Sequence, residues 1–364
     1  ELDAEEPGLR AQAGLPVGEL QRRATDAGLY YPVDWAAADS AQLGGSIATN
    51  AGGIRVLRYG MTREWVRGLT LVTGTGEVLE LNRGLVKNNT GFDLRHLMIG
   101  SEGVLGIITE ATMALTGPPP EQSVLLLAFA ELSSIMPVFA ELRAGLDLSA
   151  FEFFDQRSME YVAAATGETF PLHGECPYYA VVEFDDPEQA SQERALELFE
   201  RLAEAGHVAD GTVSQSLAQA GELWRWREAI SEAIASHTPY KNDLSVRVPR
   251  VPEFLASLVE LVAEHYPEFE IVWFGHIGDG NLHMNVLKPP DWSIEDFHAA
   301  GRRLSPEVFE LVRKFEGSVS AEHGVGLLKR DDLHYSRSKA EIALMRQIKA
   351  TFDPDGILNP GKVL

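Results

Sequence analysis

The chain has 364 residues, 54 acidic side chains against 31 basic ones, a formal net charge of -23 and one cysteine. With no basic block to neutralise phosphates the charge argues against a nucleic-acid partner, and Cys176 alone can build neither an internal disulfide nor a thiolate cluster nor an iron–sulfur site. The length allows two domains; the longest apolar runs, such as Val124–Ala130, are too short to span a bilayer and no secretory signal is present, so a reducing, cytoplasmic setting is expected.

Leu9–Glu19 reads as a strand already inside a domain and leading into a helix from about Val17 to Gly28, so the sequence is expected to begin partway through a folding unit. Gly44–Gly53, GGSIATNAGG, cannot pack a core through side chains. It is either a flexible loop or a segment whose amides approach a ligand closely; Arg55, Arg58 and Tyr59 follow it and could face an anion. Leu69–Leu81 alternates apolar residues around Gly74-Thr75-Gly76. With no third glycine and no helix behind it, this is a β-hairpin turn rather than a dinucleotide fingerprint. A second glycine cluster, Gly100–Gly106, opens onto a strand at Ile107–Leu115, with a turn at Asn88–Asp93 before it. The first part is thus β-rich, unlike a doubly wound nucleotide fold.

Gly117–Pro120, GPPP, marks a boundary. Beyond it strands at Ser123–Ala130, Ala150–Phe154 and Tyr178–Phe184 alternate with helices at Leu132–Gly145 and Pro187–Ala205, as in a ferredoxin-like α+β sandwich. A helix is expected at Leu223–His237, where each arginine alone reads as a surface residue. Arg227 and Lys241 nevertheless lie upstream of a histidine-bearing hairpin and could bring positive charge to a carboxylate substrate. After a helix at Ser338–Lys349, the turns Asp353-Pro354-Asp355-Gly356 and Asn359-Pro360-Gly361 flank Ile357 and Leu358, which predicts a tail that docks.

The densest chemistry is in Trp273–Val286, WFGHIGDGNLHMNV. On an uninterrupted strand His276 and His283 would face opposite ways; Gly278 and Gly280 allow a turn that aims both imidazoles at one point. Ser320–Gly326, SAEHGVG, adds Glu322 and His323. Two neutral histidines and a carboxylate suit a catalytic divalent ion such as zinc or manganese, so His276, His283 and Glu322 are candidate metal ligands and His323 a candidate base. The competing reading is hydrogen-bonded histidines in turns with a surface acid.

HIGDGNLH, SAEHGVG and FDPDGILNPGKVL, with GGSIATNAGG, RYG, NNTGFDL and GSEGVLGI upstream, closely resemble the FAD-linked 2-hydroxyacid dehydrogenases of the vanillyl-alcohol-oxidase (PCMH) type. That family includes glycolate oxidase catalytic subunits, flavin-dependent D-lactate dehydrogenases and D-2-hydroxyglutarate dehydrogenases, and RYG and NNTGFDL look most like the last. The resemblance implies an α+β chain: a partial PCMH-type FAD-binding domain over 1–118, a ferredoxin-like antiparallel-sheet substrate domain of the FAD-linked oxidase C-terminal type over 119–335, and a segment, 336–364, returning to the FAD site. By motif match Gly44, Gly45, Thr49, Asn50, Gly52, Gly53, Gly100, Ser101, Glu102, Gly103, Ile107 and Asn359 line the FAD, while Arg227, Lys241, Asn285 and Ser231 fall where the family holds substrate. His276, His283 and Glu322 match its metal ligands and His323 its base. The family's upstream lobe, which cradles the FAD pyrophosphate, has no counterpart here, which puts flavin binding by this chain in question.

The expected reaction oxidises a D-2-hydroxyacid (D-2-hydroxyglutarate, D-lactate or glycolate) to the 2-oxoacid, with hydride passing to flavin and electrons to an acceptor protein or quinone. A homodimer is expected, with or without attachment at the inner face of the membrane. The alternatives are a metal-independent flavin oxidase or non-redox flavoenzyme of this fold, and an inactive fragment that binds only metal or a partner.

Overall fold

Alternating apolar residues build two antiparallel sheets, one in each of two compact units: Glu1–Pro119 with Glu322–Leu364, and Pro120–Ala321. The structure, a computed structural model, describes all residues except 4, 36 and 188–190. The second boundary, expected at 335, falls instead at Ala321, because the following HGVG segment is hydrogen-bonded to Glu102 of the first unit.

In the first unit β1 (Leu2–Asp3), β2 (Gly8–Gln12), β3 (Val66–Val72), β4 (Val78–Leu81) and β5 (Ile107–Ala114) form a sheet in the order β1-β2-β5-β3-β4. The helix Val17–Asp26 buries Val17, Leu20 and Ala24, a single helical stripe, against Leu9, Leu71 and Met113 of the sheet. A second helix, Leu43–Thr49, occupies the first six of the ten residues of the glycine-rich stretch, for which a loop was one reading. Its Leu43 and Ile47, one turn apart, are fully buried, and the Leu15 and Ala13 carbonyls accept the N–H groups of Leu43 and Gly44. That burial outweighs the roughly 1 kcal/mol that each glycine costs a helix. Asn50 ends the helix in the left-handed region, φ 50°. The helix Lys339–Phe352 starts in a Ser338/Glu341 capping box. Beyond it the buried Asp353 carboxylate accepts the Ile357 and Leu358 N–H groups and the Lys349 ammonium. The tail docks through Leu358, 6% exposed, whereas Ile357 is 63% exposed and takes no part in the packing expected of it.

In the second unit β6 (Gln122–Phe129), β7 (Leu148–Asp155), β8 (Tyr178–Asp185), β9 (Asp210–Val213), β10 (Tyr240–Ser245), β11 (Glu270–Gly275) and β12 (Asn281–Leu287) run in the order β10-β12-β11-β7-β8-β6-β9, every pair antiparallel. Every residue of β7 and β12 is buried, as in a strand covered on both faces. Helices Ile135–Gly145 and Gln192–Glu204 serve one half of the sheet; residues 188–190 of the expected Pro187–Ala205 helix lie outside the described residues. Helices Val251–His265 and Ile294–Lys314 pack on each other beside the other half. The expected Leu223–His237 helix is broken: Ser216 caps a helix at Leu217–Glu228, and Ile230–Ala233 and a 3-10 turn at Ala235–His237 follow.

The two halves of this sheet join at a narrow seam, Phe274 opposite Phe154 and Gly275 opposite Phe153. At its edge Asp155 accepts the Ser158 N–H at 2.8 Å and caps the next helix. Burial pushes its carboxyl from 3.8 up to about 6. Because the folded chain holds this proton more tightly than the unfolded chain, Asp155 should cost stability progressively as pH rises from about 4 to about 6. Urea unfolding across that range should show the parent losing stability relative to Asp155→Asn; parallel curves would refute the shift.

Candidate functional site

The turn between β11 and β12 closes on one carbonyl: His276 O accepts the N–H groups of Asp279, Gly280 and Asn281 at 3.0–3.2 Å. Gly280 stands at φ +92°, and a Cβ there would lie 2.1 Å from Val246 O. Gly280→Ala should therefore destabilise the chain by at least roughly 1–3 kcal/mol, read as a lower urea midpoint at unchanged slope.

Register then decides what shares a face. Asp243 is opposite His283 and Lys241 opposite Asn285 across β10–β12, while Phe274 and Val272 face His283 and Asn285 across β11–β12. Directly paired residues point the same way, so Lys241, Asp243, His283 and Asn285 are on one face, joined through the Phe274–Phe154 pair by Glu152 of β7. The His276 and His283 rings are 5.4 Å apart at 83°, both buried, with ligand nitrogens within 4.8 Å of each other. His276 Nδ1 is 2.8 Å from Glu152 Oε1; His283 Nδ1 is 3.7 Å from Asp243 Oδ1. Asn281 donates to Asp243 Oδ1 and to Leu244 O, both at 2.9 Å. The Asn285 amide faces the Val272 and His283 carbonyls.

Arg227 is buried, contrary to the surface reading of the arginines on this helix; Arg225 is the exposed one and pairs with Glu168. Trp224 ties the helix to the sheet through Glu183, which turns Arg227 over the Phe274 ring at 4.7 Å. Arg227 Nη2 lies 2.8 Å from Glu152 Oε2, yet the N–H is not aligned for a hydrogen bond, and Glu152 Oε2 and Arg227 Nε are both buried without a hydrogen-bond partner among the described residues. A buried donor left over beside two histidines suits an anionic ligand, since such groups are otherwise costly. Two histidines, one with Nδ1 already on a carboxylate, are a donor pair suited to zinc or manganese. Lys241 is exposed on β10, and Ser231 is exposed in the short helix beyond Arg227.

In the first unit Gly100 N–H donates to Ile47 O and Glu102 N–H to Ala48 O, which brings the two glycine clusters together. Gly45 and Gly103 look into open space, as a cradle for FAD requires, whereas a Cβ at Gly44 would strike Ala13 and one at Gly53 the Asp34 carbonyl. Gly44 and Gly53 therefore allow close packing that no larger residue could. The Thr49 hydroxyl bonds back to Gly45 O, Asn50 Oδ1 accepts the Arg63 N–H, and the Glu102 carboxylate accepts the Val325 and Gly326 N–H groups. Those side-chain oxygens are engaged by the protein itself. Asn359 Nδ2 donates to Glu102 O, so the tail reaches the same loop; Ser101 is half-buried there and Ile107 is 58% exposed at the start of β5. Glu322 and His323 belong to this unit, half-buried and exposed, and a Cβ on Gly52 would lie 3.6 Å from Glu322 Oε1. Arg55, one of the cations after the glycine loop, lies 3.8 Å from Asp34.

Glu152 and Asp243 were not among the residues singled out from the sequence. Glu152 was visible as the single carboxylate inside an otherwise apolar strand, AFEFF, where a buried acid must be paired; Asp243 stands in a mixed segment, NDLSV, that carries no such signal.

Residues 118–363 match the family model for FAD linked oxidases, C-terminal domain, and residues 1–82 match that for an FAD binding domain. The chain is 54% identical to a D-2-hydroxyglutarate dehydrogenase of Xanthomonas citri pv. viticola over 98% of its own length and 75% of the relative's, and 53% identical to one of Stutzerimonas stutzeri over 97% and 76%. A mitochondrial D-2-hydroxyglutarate dehydrogenase of Bos taurus is 39% identical, over 98% of this chain and 65% of that protein. Among solved structures an alkyldihydroxyacetonephosphate synthase aligns with a TM-score of 0.69 at 18% identity, over 99% of this chain and 66% of that one, a likeness of fold. No helix among the described residues is long and apolar enough to cross a membrane. A model matched across most of the chain, and relatives more than half identical along nearly all of it, place the chain in the FAD-linked 2-hydroxyacid dehydrogenase family.

Proposed function

We propose that the chain oxidises D-2-hydroxyglutarate to its 2-oxoacid, using FAD together with a divalent metal held by His276, His283 and Glu322. The observation that carries this reading is the grouping of two buried histidines with a buried arginine on one sheet face. The choice of acid rests on the bacterial relatives' names. Glu322 follows Ala321 directly, and Ala321 N–H donates to the carbonyl of Asp243, the strand partner of His283, so chain connectivity favours Glu322 as the third ligand. When bound, the metal supplies Lewis acidity at the substrate hydroxyl and FAD supplies the hydride acceptor. Arg227 and Lys241 bind the substrate carboxylates and Asn285 orients the substrate. The imidazole of His323 takes the hydroxyl proton as base. Electrons then leave to an acceptor protein or quinone.

Turnover of a dye acceptor by the full-length enzyme should be fastest with D-2-hydroxyglutarate, slower with D-lactate and glycolate, and should fall with chelator in step with metal content. Equal rates on all three acids would refute the assignment of the dicarboxylate. Activity in metal-free protein would refute the metal.

A further inference from the structure

Glu152 is 1% exposed, and its two oxygens face different functional groups: Oε1 is 2.8 Å from His276 Nδ1 and Oε2 is 2.8 Å from Arg227 Nη2. Resting on the reading just given, in which His276 binds metal and Arg227 a substrate carboxylate, we propose that Glu152 is a positioning residue that sets both at once. It ties the metal half of the site to the substrate half.

The chemistry of the carboxylate supports this. An ionised carboxylate only accepts, so the proton between it and His276 is carried on Nδ1, and the neutral ring is left with Nε2 as its lone-pair nitrogen. The other oxygen holds Arg227 by charge at close range without hydrogen-bond alignment, which keeps the guanidinium in place while its Nε remains unpartnered in the interior. The link also crosses the seam of the sheet. Glu152 is on β7 and His276 directly follows β11, strands joined by two residue pairs, with Gly278 N–H on Phe151 O beside them. A carboxylate serving Arg227 alone, as an ordinary buried ion pair, would not need its second oxygen on a histidine.

The test uses the full-length, FAD-loaded enzyme. Equilibrium dialysis with zinc or manganese should show metal affinity in Glu152→Gln weakened by about 10–100-fold, with a raised KM at saturating metal and unchanged FAD content. Arg227→Met should raise KM with metal affinity undiminished. Wild-type metal affinity in Glu152→Gln, or an equal loss of metal in Arg227→Met, overturns the inference alone. A wild-type enzyme that takes up no metal overturns the reading beneath it as well. Should Glu152→Gln fail to fold, nitrogen NMR of histidine-labelled, metal-free wild type decides, with the His276 signal assigned by its loss in His276→Asn: a proton on Nδ1 supports the proposal and one on Nε2 overturns it.

Discussion

His323→Ala is expected to slow turnover by about 10²–10⁴-fold, the range for losing a general base, with metal content and FAD content unchanged. The residue is exposed, so truncating it removes little packing and a stability loss cannot account for such a fall. Its backbone stays anchored in the variant, because the Glu102 carboxylate holds the Val325 and Gly326 N–H groups two and three residues on. Glu322→Gln provides the contrast: a ligand lost should lower metal content together with activity. Metal analysis and steady-state rates on the same preparations separate the two roles. If His323→Ala loses the metal and keeps most of its activity, His323 is a ligand and the base lies elsewhere.

The second large effect is expected from Arg227→Met, which leaves Glu152 as a buried carboxylate without its ion-pair partner. Breaking a buried pair from one side costs about 3–5 kcal/mol; here the remaining carboxylate keeps only its contact with His276 Nδ1. Both side chains are buried, Arg227 at 8% and Glu152 at 1% exposure, so solvent screens the contact little. Urea unfolding should show this loss, and adding Glu152→Gln to the variant should recover part of it by removing the stranded charge. Arg227→Lys keeps the charge but not the planar fork, so it should be milder in stability while still raising KM for the acid. An Arg227→Met variant as stable as its parent would mean the pair contributes nothing to the fold.

Strand periodicity made much of the architecture legible. The hairpin at Leu69–Leu81, the strands before and after GPPP, and the turn between His276 and His283 can be read from alternation and glycine placement alone. The helix Leu43–Thr49 was not legible, because its glycines argue locally for a loop and only the burial of Leu43 and Ile47 overrides them. Arg227 was misjudged for a related reason. A sequence shows that a helix carries arginines, but not that Trp224 is anchored on Glu183 and so turns one of them inward. Glu152 and Asp243 are long-range partners, 124 and 40 positions from the histidines they serve, and nothing in the spacing of the histidine motif points to them.

The interruption of the first unit by the second bears on biosynthesis. Pro120–Ala321 is an insertion, and the helix and tail that complete its host are synthesised after it. During translation the inserted unit can mature while Val104 still waits for the Lys349 ammonium, and the Glu102 loop for its contacts with Val325, Gly326 and Asn359. A released chain truncated after Ala321 should therefore resist protease over Pro120–Ala321 and remain cleavable ahead of it.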